Sequence, residues 1–306
     1  TPEEAQAPAL RVAAVQPDVP SAHRHGPARL DPNLRALLAL SRRAVGPGAD
    51  LLVWPETAWD ATAARGGPGF LGVVAHALEV PLLAGVRLPG EGRGLRNAVA
   101  LADRAGAARL VAEKRHPVPA FESAPRSALA RALAQRGLWP GRVAAGPPAR
   151  PVVLPAGGGA LPAAVLVCAD LHDAGLVRRL RREGARLLVV LANESHLGPA
   201  AADAGLRLAR LRAAENRLPV VRVANNGRSA WIDARGRIAA ALPARGRDAG
   251  GAHLVPAGAA PLHARHGPAP AVALALPFTA LLLARGSARG GAPIRGASLL
   301  ASRRTP

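Results

Sequence analysis

"AAVLVCADLHDAGLVRRLRREG", Ala163 to Gly184, carries the clearest architectural signal in the chain. Its first residues are apolar without alternation, which is the pattern of a strand buried on both faces of a sheet. The run closes at "CAD" in a turn. "AGLVRRLRREG" (Ala174–Gly184) then carries apolar residues at helical spacing, with a basic opposite face. A buried strand feeding a helix is the building unit of a parallel sheet. Outward from it the pattern continues. "ARLLVVLANES" predicts a strand, "AGLRLARLRAAENR" a helix, "PVVRVANN" a strand, and "SAWIDARGRI" a hairpin turning through "DARG". Upstream, "LRVAAVQ" (Leu10–Gln16) predicts a strand and "SAHRHGPARLDP" a loop. "NLRALLALSRRAV" (Asn33–Val45) predicts a helix stopped by "GPG", and "DLLVWPE" a strand ended by Pro55. A helix over "FLGVVAHALEV" follows, then strands over "PLLAGVRL", "RNAVALAD" and "ARLVAEKRH", and a helix over "SALARALAQRG". The class is α/β, with sheets covered by helices.

The chain has 306 residues and a formal charge of +20. Of its 40 basic residues 39 are arginine, which fits the Ala-, Arg-, Gly- and Pro-rich composition of a GC-rich genome. Those arginines are scattered, and three Phe with four Trp make a poor stacking platform for bases. No nucleic-acid partner is therefore expected, and attraction to an anionic membrane surface is the favoured use of the charge. One cysteine permits no internal disulfide. His23 and His25 lack the accompanying carboxylate or thiol pattern of a metal site, so no metal and no cofactor is expected. Residues 1–9 read as a Pro-rich linker. After a second linker at 257–267, "PAPAVALALPFTALLLA" (Pro268–Ala284) is uncharged and would extend roughly 25 Å as a helix. Taken alone, this run reads equally as a membrane span or as a buried core element. Residues 285–306 form a basic tail.

Three residues stand out chemically. Glu56 closes a strand in "VWPETAWD", Lys114 sits near a strand end in "AEKRH", and Cys168 closes a strand just before a helix. Strand ends are where reactive side chains gather in an α/β sheet. A carboxylate can take a thiol proton, an ammonium can hold an oxyanion, and a helix N-terminus with a nearby cation favours a thiolate. Lys114 is the chain's single lysine. Its retention among so many arginines fits a place that needs a compact ammonium rather than a planar fork. Around these lie Trp54, read as core, and Trp59, read as able to touch lipid. His116, His172 and His196 are read chiefly as solvated loop residues, and Arg178, Arg179, Arg181 and Arg182 as a solvated helix face.

"WPET", "EKRHPVPAFE", "VCADLHDAGLVR" and "LARLRAAENRLPVVRVANNGRSAWIDARGRI" together resemble the nitrilase superfamily of carbon–nitrogen hydrolases. The similarity runs from about Leu10 to Leu242, and it is greatest to the branch of bacterial apolipoprotein N-acyltransferases. The resemblance implies an αββα sandwich over residues 10–256 and a catalytic set of Glu56, Lys114 and Cys168, with Glu122 as the family's second glutamate. It implies that Pro268–Ala284 is a transmembrane helix. The branch's N-terminal membrane helices have no counterpart, so a fragment or a split protein is expected. The implied activity is transfer of a fatty acyl group from a phospholipid, through a Cys thioester, to the N-terminal amine of a diacylglyceryl-cysteine lipoprotein. The implied place is the outer face of a bacterial cell membrane. The alternatives are a soluble amidase or carbamoylase, and an impaired member acting as a binding module. The family's aromatic and glutamate after the cysteine are Ala169 and Asp170 here, and its Asn-Asp-aromatic segment reads "NESHLG" (Asn193–Gly198). Asp170, Ala169, Trp59 and His196 are the expected pocket residues.

Overall fold

A computed structural model of the chain describes residues 9–289, apart from 65–66, 92–93, 120, 124–128, 130–131, 134–135, 137–142 and 157–158. Two six-stranded sheets form the centre. The first has the order β12-β1-β2-β3-β4-β5 and the second β11-β10-β9-β8-β7-β6. Each sheet is built on the same unit, strand–helix–strand–helix–strand. In the first, β1 (Leu10–Gln16), β2 (Leu51–Asp60) and β3 (Leu82–Pro89) run parallel, joined by α1 (Pro27–Ala44) and α2 (Gly69–Ala77). In the second, β7 (Gly159–Val167), β8 (Leu187–Ala192) and β9 (Val220–Ala224) run parallel, joined by α3 (Ala174–Arg182) and α4 (Pro199–Asn216). Antiparallel strands complete the sheets: β4 (Leu95–Ala102), β5 (Ala108–Glu113) and β12 (Asp248–Leu254) in the first, β6 (Val152–Ala156), β10 (Ala230–Ile232) and β11 (Ile238–Ala241) in the second.

Three apolar clusters account for the layering. Leu51, Val53, Leu83, Val165, Val189 and Val223 belong to one that joins the two sheets face to face. A second packs α1 and α2 on the first sheet through Leu37, Leu40, Leu71 and Val74. A third packs α3 and α4 on the other through Val177, Leu180, Leu206 and Ala209. Strands buried on both faces need apolar residues at every position, which is why β8 reads "LLVVLA" without a polar break. The architecture is the expected αββα sandwich.

Several local expectations change. The stretch read as a loop before Asn33 is already helical, because Pro27 sits at the first helical position, where its missing N–H costs nothing. Strand β2 does not stop at Pro55. It continues to Asp60 through a register shift between Trp54 and Trp59, and Thr57 has a left-handed backbone with φ 47°. Gly85 on the neighbouring strand makes room for this bulge: a Cβ there would lie 2.4 Å from the Pro55 carbonyl oxygen and 2.6 Å from the Glu56 Cα. Arg181 is not solvated but 3% exposed. Its guanidinium donates to the carbonyls of Asn216, Ala185, Gly258 and Ala259. The helix expected over 127–137 lies largely outside the described residues.

The chain divides into two units, one ending at Arg265 and one beginning at His266. In the first, the short helix α5 (Leu262–His266) begins. In the second, α6 (Ala269–Arg289) exposes Val272, Leu274, Leu276, Phe278, Leu281 and Leu282. The expected transmembrane span finds no support here: among the described residues no helix is long and apolar enough to cross a membrane. Its uncharged run falls short of a bilayer core of about 30 Å, Pro277 interrupts it, and Arg285 ends it.

Candidate active site

The bulge in β2 turns Glu56 inward, where it is 3% exposed. Its Oε1 accepts from Asn97 Nδ2 at 2.7 Å and from Lys114 Nζ at 2.9 Å. Lys114 follows β5 directly and is 1% exposed. It is pinned on both sides: its N–H donates to the Asn97 carbonyl, and its carbonyl accepts from Gly146 N–H. Its ammonium reaches Glu122 as well, at 2.8 Å to Oε1 and 2.7 Å to Oε2. Glu122 Oε2 also accepts from Val118 N–H at 2.7 Å. One ammonium thus joins two carboxylates from distant segments. Burial pulls the Lys114 pKa down, but the charges of Glu56 and Glu122 outweigh it, and the net direction is upward. The lysine stays charged.

Arg24 supports the bulge from outside. It is 8% exposed, and its Nη2 donates to the Glu56 carbonyl at 2.6 Å and to the Thr57 hydroxyl. An arginine in a loop gave no signal of this in the sequence.

Cys168 begins a 3-10 turn at the end of β7 and has φ 48°. A left-handed backbone at a non-glycine residue costs energy and projects the side chain out of the strand path. The sulfur lies 4.0 Å from the Asn193 carbonyl oxygen. Its titration couples to Glu56, Lys114 and Glu194. The sequence suggested a favoured thiolate; the structure reverses that. Burial and the negative charge of Glu56 push the thiol pKa up by more than Lys114 draws it down. At rest the sulfur carries its proton, so a nucleophile here needs a base at the moment of attack.

A cavity of about 1100 Å³ opens at Cys168. Ala169, as expected, lines it, together with apolar Leu171, Val190 and Leu208. The other three expected pocket residues are placed elsewhere. Asp170 is 1% exposed and works as a clamp. Its carboxylate accepts from the N–H groups of Arg115 at 2.9 Å, His116 at 2.8 Å and Val167 at 3.2 Å, tying the segment after Lys114 to the turn of Cys168. Burial raises the Asp170 pKa against the pull of those donors. His116 Nδ1 adds a contact at 3.1 Å. Trp59 is buried, stacked on Phe70 at 4.9 Å, and donates to the Gly67 carbonyl, so it belongs to the core beneath α2. Trp54 is core as read, with its indole N–H on Ser41. His196 is exposed and tilted against Phe121 at 5.6 Å.

Sequence reasoning missed Arg222 in the cavity wall; its partner Glu194 lies in the "NESHLG" segment already noted as a departure from the family. Glu194, just after β8, and Arg222, within β9, form a buried ion pair. The single charged residue inside the otherwise apolar "VVRVA" was the available signal.

Residues 11–258 match the model of a family described as carbon-nitrogen hydrolase. The chain belongs to the carbon–nitrogen hydrolase family. Within it, the chain is 31% identical over 217 residues to an apolipoprotein N-acyltransferase of Allorhizobium ampelinum, covering 67% of this chain and 40% of that protein. It is 33% identical over 226 residues to the apolipoprotein N-acyltransferase of Bradyrhizobium diazoefficiens, covering 68% of this chain and 41% of that protein. The chain therefore spans less than half the length of these relatives. Among solved structures it resembles Saccharomyces cerevisiae Nit3, of branch 10 of the nitrilase superfamily, with a TM-score of 0.60 and 18% identity, covering 81% of this chain and 90% of that one. That likeness concerns the fold.

Proposed function

We propose that this carbon–nitrogen hydrolase-family chain is an acyltransferase working with phospholipid and lipoprotein at a bacterial cell membrane, on its outer face. The observation that carries the proposal is the buried Glu56–Lys114–Glu122 chain, electrostatically coupled to a protonated cysteine on a large, mainly apolar cavity. The relatives' name, apolipoprotein N-acyltransferase, supports a lipoprotein as the acyl acceptor.

In the first half-reaction Glu56 takes the Cys168 proton as the sulfur attacks the ester carbonyl of a phospholipid. The C–S bond forms, the ester C–O bond breaks, and the lysophospholipid alkoxide leaves with the proton held by Glu56. In the second, the neutral N-terminal amine of a diacylglyceryl-cysteine lipoprotein attacks the thioester carbonyl. A C–N bond forms, the C–S bond breaks, and the amine's proton passes through Glu56 to the sulfur. An ammonium has three N–H groups, and Lys114 directs two of its own at Glu56 and Glu122. The third is assigned to the developing oxyanion, as are nearby backbone donors. Glu122 holds Lys114 in place.

The test is a labelled phospholipid added to membranes containing the chain. A hydroxylamine-labile label on Cys168, absent in Cys168→Ala, is expected. Active protein that never acquires the label, or that instead hydrolyses small amides with water, overturns the proposal.

A further inference from the structure

Glu194 and Arg222 stand in the wall of the cavity that opens at Cys168. Both are buried, at 6% and 1% exposure. Arg222 Nη2 donates to Glu194 Oε1, and Nη1 to the Arg228 carbonyl at 2.8 Å. The pairing is incomplete. Glu194 Oε2 is buried without a hydrogen-bond partner, as is Arg222 Nε. A buried carboxylate oxygen without a donor costs free energy unless a ligand supplies one. The pair is also tightly seated. A Cβ on Gly205, which lines the cavity from α4, would lie 2.8 Å from Glu194 Oε1 and 2.9 Å from Arg222 Nη2.

The place of this carboxylate is informative. The Cys168 sulfur touches the carbonyl of Asn193, the residue before Glu194. Negative charge so near a thiol opposes the thiolate, so Glu194 does nothing for attack on an acyl donor. The same charge attracts a cation or an N–H donor brought up to the thioester. The arrangement therefore hinders the first half-reaction and helps the second. We infer that Glu194, steadied by Arg222, forms the subsite for the acceptor's primary amine and accepts a hydrogen bond from its N–H beside the Cys168 thioester. This rests on the acyltransferase reading above.

The two half-reactions separate the roles. Full-length protein in vesicles of phosphatidylethanolamine and phosphatidylglycerol is charged with labelled acyl donor. It is then discharged either by a diacylglyceryl-cysteine peptide or by hydroxylamine. Glu194→Gln is expected to form the thioester, to release it to hydroxylamine at the wild-type rate, and to lose tenfold or more in discharge by the peptide. Removing the carboxylate leaves Arg222 unpaired and can cost folding, so Glu194→Asp runs beside it. That variant keeps the charge but retracts it, and a raised KM for the peptide with unchanged kcat is expected. Peptide discharge by Glu194→Gln at the wild-type rate overturns the subsite while leaving the acyltransferase reading intact. So does an equal loss with both nucleophiles, or an unchanged KM in Glu194→Asp. A wild-type protein that never carries the thioester overturns both.

Discussion

Two buried cations are held in different ways: Lys114, within electrostatic range of Cys168, and Arg222, in the wall of the cavity that opens there. Lys114 lies between two carboxylates, with Asn97 bonded to one of them and Val118 N–H to the other. Arg222 faces one carboxylate, and each partner keeps an unsatisfied atom. A compact ammonium can be gripped from several directions by acceptors on different strands. A guanidinium presents a fixed fork and fills a slot, here one kept open by Gly205. In the first, the ammonium and both carboxylates are bonded to one another, although Asn97 Oδ1 has no partner, and the arrangement suits fixed machinery. The second leaves one carboxylate oxygen and one guanidinium nitrogen buried without partners, which a ligand can satisfy.

The largest effect is expected at the ammonium. Lys114→Met leaves buried Glu56 and half-buried Glu122 with no cation between them. A loss of about 3–5 kcal/mol in urea unfolding is expected, with acyl transfer falling roughly 10⁴-fold. Lys114→Arg is expected to restore the charge without the activity, because the fork cannot occupy a site shaped for one nitrogen. Full activity in Lys114→Arg would erase the distinction drawn between the two cations. At the guanidinium, Arg222→Met is expected to cost about 3 kcal/mol and to slow peptide discharge while hydroxylamine still releases the acyl group. A smaller step trims the first network: Asn97→Ala removes one hydrogen bond to Glu56, for about 1.5–3 kcal/mol. Its pH–rate profile is expected to shift, which a purely structural loss would leave in place.

The smallest effect is in pH. The folded state raises the Cys168 pKa, so the unfolded chain releases this proton first. The stabilisation is fully present below the ordinary thiol value of about 8.5 and is lost as pH rises above it. Stability is expected to fall by up to about 1.4 kcal/mol per pH unit there. The chain has no Tyr and one Cys, and Arg24, which burial draws down to about 10, titrates at the upper edge of this window. Lys114 is also raised, but its unfolded value of about 10.4 places its contribution higher. Cys168→Ala is expected to flatten the slope between pH 8.5 and 10 in urea unfolding; an unchanged slope would assign it elsewhere.

How much was legible in advance depended on burial. The parallel strands announced themselves because both faces are covered, so "LRVAAVQ" and "LLVVLA" are apolar throughout. Strand β12, "DAGGAHL", was missed: it lies at a sheet edge and is half exposed, so nothing apolar marks it, and only pairing with β1 makes it a strand. Glu56 and Lys114 were found by residue type and place. That Glu56 sits on a bulge was not legible, because the cause is a glycine on another strand, Gly85. Trp59 looked available to lipid until Phe70 and Gly67 closed over it. Asp170 was taken for a pocket residue because it follows Cys168. Its four contacts, three from distant residues 115 and 116 and one from the strand end at Val167, draw it inward instead.

By itself, then, the sequence determined the alternation of strands and helices, the α/β class, and the residue types able to do acyl chemistry. These follow from local periodicity and from side-chain chemistry, both of which are written along the chain. Tertiary structure alone decided that the thiol rests protonated, that Asp170 joins the lysine and cysteine segments, and that Glu194 and Arg222 form an incomplete ion pair on the cavity wall. Each of these depends on the distance and dielectric between groups far apart in the chain, and those are set only when the two sheets pack.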